Sequence, residues 1–224
     1  MFEVRQKGPG GNTPAGWNES YYTWNQNSNN FPDYDEPGFS YADFVPSGKI
    51  GSAGINDGVG SALNFSGLNT PSALWQATPA TAGRTLALHF VATAPHDPSF
   101  FQVYFTKPEF DPTTATLGWS NLTDLGRWSI GNSARPVTIG TGPSPSGGTL
   151  MSYDWTIPIP GTASGRETVV VIWQREDPAG EAFFAIQDLQ VAGVPEPASA
   201  ALLLLGVAGM LGRRQRPVAV TPAP

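Results

Sequence analysis

Two histidines, His89 and His96, are the only imidazoles in the 224 residues, so any base or nitrogen ligand of that type must be one of them. His89 sits inside the run Thr85-Leu86-Ala87-Leu88-His89-Phe90-Val91, where a satisfied or exposed strand histidine is the plain expectation. His96 follows in Thr93-Ala94-Pro95-His96-Asp97-Pro98, a turn before the next apolar run, and is either solvated or a ligand. A Ser–His–Asp triad could draw on either histidine, but no Gly-x-Ser-x-Gly elbow supports it. The 18 acidic residues include no local motif that selects a carboxylate pair for glycoside hydrolysis. No Walker or Rossmann glycine loop is present. With no cysteine, disulfides and Cys-ligated zinc or iron–sulfur sites are excluded.

The elements that must position these groups read as strands. Residues 85–91, 100–106, 153–157, 167–174 and 183–191 are rich in β-branched and aromatic residues and bounded by Gly, Pro, Asn and Asp. No stretch of residues 1–193 sustains a helical period. Gly 26 and Pro 22 without a strict period, with 11% aromatic residues, fit a turn-rich all-β domain and exclude collagen and plain disorder. The spacing predicts a β-sandwich. Residues 5–50, aromatic and Asn-rich with few aliphatics, read as a long irregular N-terminal excursion of the functional kind. Residues 143–148 read as a flexible loop.

The C-terminus separates from this body. Val194, Pro195, Glu196 and Pro197 precede an apolar run, residues 198–212, which ends at Arg213, Arg214, Gln215 and Arg216. The run is shorter than a full span of roughly 20 residues, but its basic end suits a cytoplasmic anchor. A terminal amphipathic or core helix is the alternative, disfavoured by the lack of a polar face. Pro-Glu-Pro, apolar run and Arg cluster together resemble a PEP-CTERM sorting signal. The resemblance implies an exported protein, held transiently at the membrane through a C-terminal hydrophobic helix, and an exosortase-type enzyme as partner. The expected division is a domain over 1–193, a sorting segment over 194–216 and a tail over 217–224. Without the sorting segment, residues 1–193 hold 9 basic and 17 acidic residues, a net of −8, which argues against a nucleic-acid groove.

At His96 a second resemblance becomes specific. The segment His96-Asp97-Pro98-Ser99-Phe100-Phe101-Gln102-Val103-Tyr104-Phe105-Thr106-Lys107, continued by Pro108 to Thr114 and by Leu117-Gly118-Trp119-Ser120-Asn121-Leu122, resembles bacterial lytic polysaccharide monooxygenases, the chitin-binding type-4 family. Residues 44–54 (FVPSGKIGSAG), Trp75-Gln76-Ala77-Thr78-Pro79, the Gly165-Arg166 strand ending in Trp173-Gln174, and Glu181-Ala182-Phe183-Phe184-Ala185-Ile186-Gln187-Asp188 resemble further family segments in the same order. The resemblance implies an immunoglobulin/fibronectin III-like β-sandwich with a flat substrate face. It implies one copper ion in a histidine brace, with His96 the second ligand of the pair, and oxidative cleavage of β-1,4-linked polysaccharide. Phe183 is implied as the apolar axial neighbour, or Phe184 if the register shifts by one. Glu181 is implied as the carboxylate that positions the oxygen species, or is a solvated strand edge.

The chain departs from the family pattern at its start. Family members begin His-Gly, whereas Met1-Phe2-Glu3-Val4-Arg5-Gln6-Lys7 has neither that histidine nor a secretory leader. The expectation is a start placed too far downstream, with the first brace histidine roughly ten residues before Met1. As it stands, the copper site is incomplete. Val4, Gly51 and Ile186 occupy positions where relatives often carry Cys. Tyr22 and Trp24 lie where the family places aromatics against insoluble cellulose or chitin, although Trp24 could equally pack beneath the loop. Two functions follow: a secreted copper monooxygenase, expected as a monomer, or a non-catalytic carbohydrate-binding or extracellular-matrix protein. A hydrolase of unrelated mechanism is a third and weaker reading.

Overall fold

A computed structural model of the protein describes residues 28–54, 66–92, 98–129, 135–136 and 151–193. The chain divides into two units, Met1–Gly193 and Val194–Pro224, and every described residue belongs to the first. His96, Tyr22, Trp24, Val4, the loop 143–148 and the segment Val194, Pro195, Glu196, Pro197 through Arg213 and Arg214 lie outside the described residues. So does the apolar run 198–212. Among the described residues, no helix is long and apolar enough to cross a membrane.

Among the described residues, nine strands build two sheets. β1 (Ser28–Asn30), β2 (Ala77–Thr81), β4 (Ser99–Thr106), β5 (Leu122–Ser129), β8 (Gly165–Arg175) and β9 (Glu181–Ala192) form a six-stranded sheet. Its order is β1-β9-β8-β4-β5, with β2 parallel to β9. β3 (Thr85–Ala92), β7 (Met151–Pro158) and β6 (Arg135–Pro136) form an antiparallel three-stranded sheet. One-turn 3-10 helices at Tyr41–Asp43, Ser66–Asn69 and Trp119–Asn121 are the helical elements among the described residues. The expected strands thus form, each extended by a residue or a few. β1, β2, β5 and β6 were not anticipated.

Alternation along the strands assigns the faces. Leu86 and Leu88 of β3 and Tyr153 and Ile157 of β7 pack against Phe101, Val103, Phe105, Val169, Val171, Trp173, Leu189 and Val191 of the large sheet, which makes the core between the sheets. The opposite face of the large sheet is also covered. Val170, Ile172, Ala182, Phe184 and Ile186 meet Phe31, Tyr41, Val45, Ile50 and Ala53 from the N-terminal segment, with Phe110, Leu117 and Leu122. Double coverage explains why β8 is buried without a break from Glu167 to Gln174. It also revises the reading of residues 5–50. In the described part, the excursion is the lid of a second core, not a loop standing clear of the sandwich.

Candidate functional site

One end of the large sheet gathers the starts of β9 and β4 and the end of β8. Ser99 pairs with Arg175, and the Glu176 amide donates to the Pro98 carbonyl at 3.0 Å. His96 precedes Pro98 by two positions in the chain and lies outside the described residues. The β8–β9 turn at this end is tightly tied. Asp177 Oδ1 accepts the amides of Ala179 and Gly180 at 3.0 and 2.9 Å. The buried Gln174 donates through Nε2 to the Gly180 carbonyl at 2.8 Å and accepts the Tyr41 hydroxyl at 2.9 Å. Burial pushes the Tyr41 hydroxyl far above the ordinary tyrosine range, so it stays a donor. The Phe31 amide completes the turn by donating to the Gly180 carbonyl at 2.9 Å. Gly180 has φ +57°, and a Cβ there would lie 2.1 Å from the Phe31 carbonyl oxygen, so only glycine fits.

Glu181 follows this turn and is not a bare edge residue. β1 runs antiparallel beside it, with Asn30 opposite Glu181. Arg175 Nη1 donates to Glu181 Oε2 at 2.6 Å, while Arg175 Nη2 meets Asp177 Oδ2 at 2.5 Å. Ser28 Oγ donates to Glu181 Oε1 at 3.2 Å. The three charged side chains are 22–27% exposed, so the cluster is reachable from solvent. One guanidinium holding two carboxylates makes short, charge-assisted bonds that fix Glu181 Oε2 and leave Oε1 only lightly engaged.

Phe183 lies on the same face of β9 as Glu181. Its ring stacks on Trp173 at 5.2 Å and 30°, and Trp173 is fixed by donating to Ser99 Oγ at 2.9 Å. Phe184 points the other way, buried against Phe31 and Tyr41. The register therefore places Phe183, not Phe184, beside Glu181 and the start of β4. Sequence reasoning missed Arg175 and Asp177. The signal was available: an Arg six residues before Glu181 across a Pro-Ala-Gly turn can only face it in a hairpin.

The other histidine is elsewhere. His89 lies opposite Asp154 on the outer face of the small sheet, with Nδ1 2.7 Å from Asp154 Oδ1. Among the described residues, no three His, Cys, Asp or Glu side chains group as a metal site. Among the described residues this end holds no imidazole, so nitrogen donors for a metal there would have to come from outside the described residues. The described residues supply a carboxylate positioned by Arg175 and an apolar aromatic neighbour, Phe183.

A lytic cellulose monooxygenase from Streptomyces ambofaciens is 32% identical over 68% of this chain and 37% of its own length. The chitin-binding protein CbpD of Pseudomonas aeruginosa is 30% identical over 80% of this chain and 40% of its own. The chain thus spans about two fifths of these relatives. Among solved structures, the copper complex of the cellulose-active LPMO CelS2 is 30% identical with a TM-score of 0.56, covering 76% of each chain. An LPMO from Kitasatospora papulosa shares the fold at a TM-score of 0.54 and 23% identity, over 77% of this chain and 75% of its own. The PEP-CTERM protein-sorting motif matches residues 193–216. The family described as lytic polysaccharide mono-oxygenase, cellulose-degrading, matches residues 5–189, a span that includes Arg175, Glu181 and most of β9, and the chain belongs to that family.

Proposed function

We propose that the protein is an exported, copper-dependent monooxygenase that breaks β-1,4-linked polysaccharide, cellulose or chitin, with His96 as one copper ligand. The observation that carries the reading is the Arg175–Glu181 pair beside Phe183 at the start of β4, in a chain of this family. Copper, when bound, supplies the one-electron chemistry by which an oxygen co-substrate attacks a C–H bond next to the glycosidic linkage. The protein's own groups do the rest. Arg175 anchors Glu181 Oε2, so Oε1 is the atom that accepts or returns a proton at the reacting centre. Phe183, held by Trp173, keeps an apolar wall there and excludes water. Tyr22 and Trp24 are assigned to the flat contact with the insoluble chain.

We read the sandwich as immunoglobulin/fibronectin III-like and the active form as a monomer. Residues 194–216 act as an address read by an exosortase-type enzyme, with transient anchoring at the membrane. The second reading, a non-catalytic glycan-binding protein of the envelope or matrix, is favoured by one fact: His89 stands on the small sheet, not on the large sheet that carries Glu181, and is no candidate for the second copper ligand. Incubation with copper, a reductant and either cellulose or chitin tests the choice. Oxidised oligosaccharides that vanish in His96→Ala support the enzyme. Binding to the polysaccharide without oxidised products supports the second reading.

A further inference from the structure

β9 runs the length of the large sheet. Glu181 opens it at the candidate site, and Ala192 closes it at the opposite end. At about 3.3 Å per residue, the two ends of the strand stand roughly 35 Å apart. The far end is fastened to its last residue. Thr81 of β2 pairs with Ala192, and the Ala82 amide donates to the Ala192 carbonyl at 2.9 Å. The Gly83 amide donates to the Ile159 carbonyl at 3.1 Å, and the Ile159 amide donates to the Arg84 carbonyl at 2.8 Å, which brings the turn at Gly161 to the same end. Gly193 follows, exposed, and the sorting motif matches from that residue onward.

The link from this end to the apolar run is short. The chain from Ala192 to Ala198 reaches at most about 22 Å when fully extended. With the Glu181 end against a membrane, Ala192 would stand roughly 35 Å above it, farther than that link can span. Charge favours the same orientation. The Phe31 amide, bonded to the Gly180 carbonyl, brings the exposed Asp33, Asp35 and Glu36 to the turn that carries Glu176, Asp177 and Glu181. Burial first, and then the nearby charges of Asp35, Glu176 and Asp177, raise the Tyr34 pKa, which places the acids of both segments at one end. Toward the Gly193 end the charges are mixed, Arg84, Lys107 and Arg166 against Glu109 and Asp111. An anionic lipid surface repels the first end more than the second.

We propose that residues 194–216 hold the protein at a membrane with the Gly193 end inward and the Glu181 end outward, so that it meets insoluble polysaccharide while still attached. The contact with polysaccharide rests on the function proposed above. The orientation rests on the course of β9, the short link and the charge of the two ends. Release from the membrane is then no precondition for engaging the substrate.

The test uses the full chain in vesicles of phosphatidylethanolamine and phosphatidylglycerol that carry a headgroup quencher. The chain has no cysteine, so one introduced thiol takes a fluorescent probe uniquely. Gly161→Cys labels the Gly193 end, where an added Cβ meets nothing within 4 Å. Ala179→Cys labels the exposed turn before Glu181. The Gly161→Cys probe should lose most of its fluorescence and the Ala179→Cys probe should keep it, and vesicles carrying the natural protein should sediment with microcrystalline cellulose or chitin. Equal loss at both positions, or greater loss at Ala179→Cys, would overturn the orientation and leave the polysaccharide reading standing. Failure of the chain to float with the vesicles would overturn the attachment. Vesicle-held protein that misses a polysaccharide the free protein binds would overturn contact while attached. Failure of the free protein to bind either polysaccharide would overturn the reading on which that contact rests.

Discussion

Arg175 holds two carboxylates with one planar fork, and this places Glu181. Replacing Arg175 by Ala frees Glu181 to swing and leaves Asp177 without its cation. Oxidative turnover should fall about tenfold to a hundredfold, the range typical of groups that orient a metal site's neighbours. Arg175→Lys should recover only part, since an ammonium cannot bond both carboxylates in the same plane. Glu181→Gln should lose activity to a similar degree. Its melting temperature should change little, because the pair is partly solvated and such pairs contribute modestly to stability. Initial rates of oxidised product alongside thermal melts check all three. The two adjacent phenylalanines divide by face. Phe184→Ala empties a packed site in the second core and should cost about 3–5 kcal/mol. Phe183→Ala, at a partly buried position, should cost less in denaturant unfolding while lowering activity more.

At the scale of elements, the N-terminal segment approaches β9 tightly at Gly51. Gly51 and Ile186, two of the positions where cysteine was expected in relatives, are in contact: a Cβ on Gly51 would come 2.8 Å from Ile186 Cδ1 and 2.9 Å from the Leu68 carbonyl oxygen. Gly51→Ala should therefore destabilise by about 1–3 kcal/mol. Ile186→Val, which removes that Cδ1, should recover part of the loss, leaving the Leu68 contact. A double-mutant cycle in urea measures the coupling. The strands legible in the sequence were those with unbroken β-branched and aromatic runs, β3, β4, β7, β8 and β9. β5 was hidden because Asp124 and Gly126 sit in it at a shift of register, where the Asp124 carboxylate accepts the Gly126 amide at 2.7 Å. β2 was hidden by Pro79, tolerable there because the strand is an outer partner of β9. β1 is three polar residues, Ser28–Asn30, whose place is set by the partner strand alone. The second core was illegible for a related reason. Its lid is built from scattered single residues such as Phe31, Tyr41 and Val45, with no period to read.

At the scale of the whole molecule, the far end of the sandwich holds a buried acid. Glu167 accepts the Thr106 hydroxyl at 2.6 Å and the Ser164 amide at 3.1 Å. Burial nonetheless raises its pKa above the ordinary carboxyl value, outweighing those two hydrogen bonds. A carboxyl that binds its proton more tightly when folded makes stability fall as pH rises from the ordinary carboxyl range through the raised value. Glu167→Gln should flatten that fall and raise stability at neutral pH relative to the natural protein, read from urea midpoints between acid and neutral pH. Of the candidate site, the strand that carries Glu181 and Phe183 was legible in the sequence. Arg175 and Asp177 were not, because their role exists only once the β8–β9 turn closes. The central claim rests on His96. The direct measurement is a calorimetric copper titration of the full-length protein, compared with His96→Ala. The account predicts tight binding of one ion per chain, weakened at least a hundredfold in the variant. Equal binding by both proteins, or none by the natural one, would contradict it.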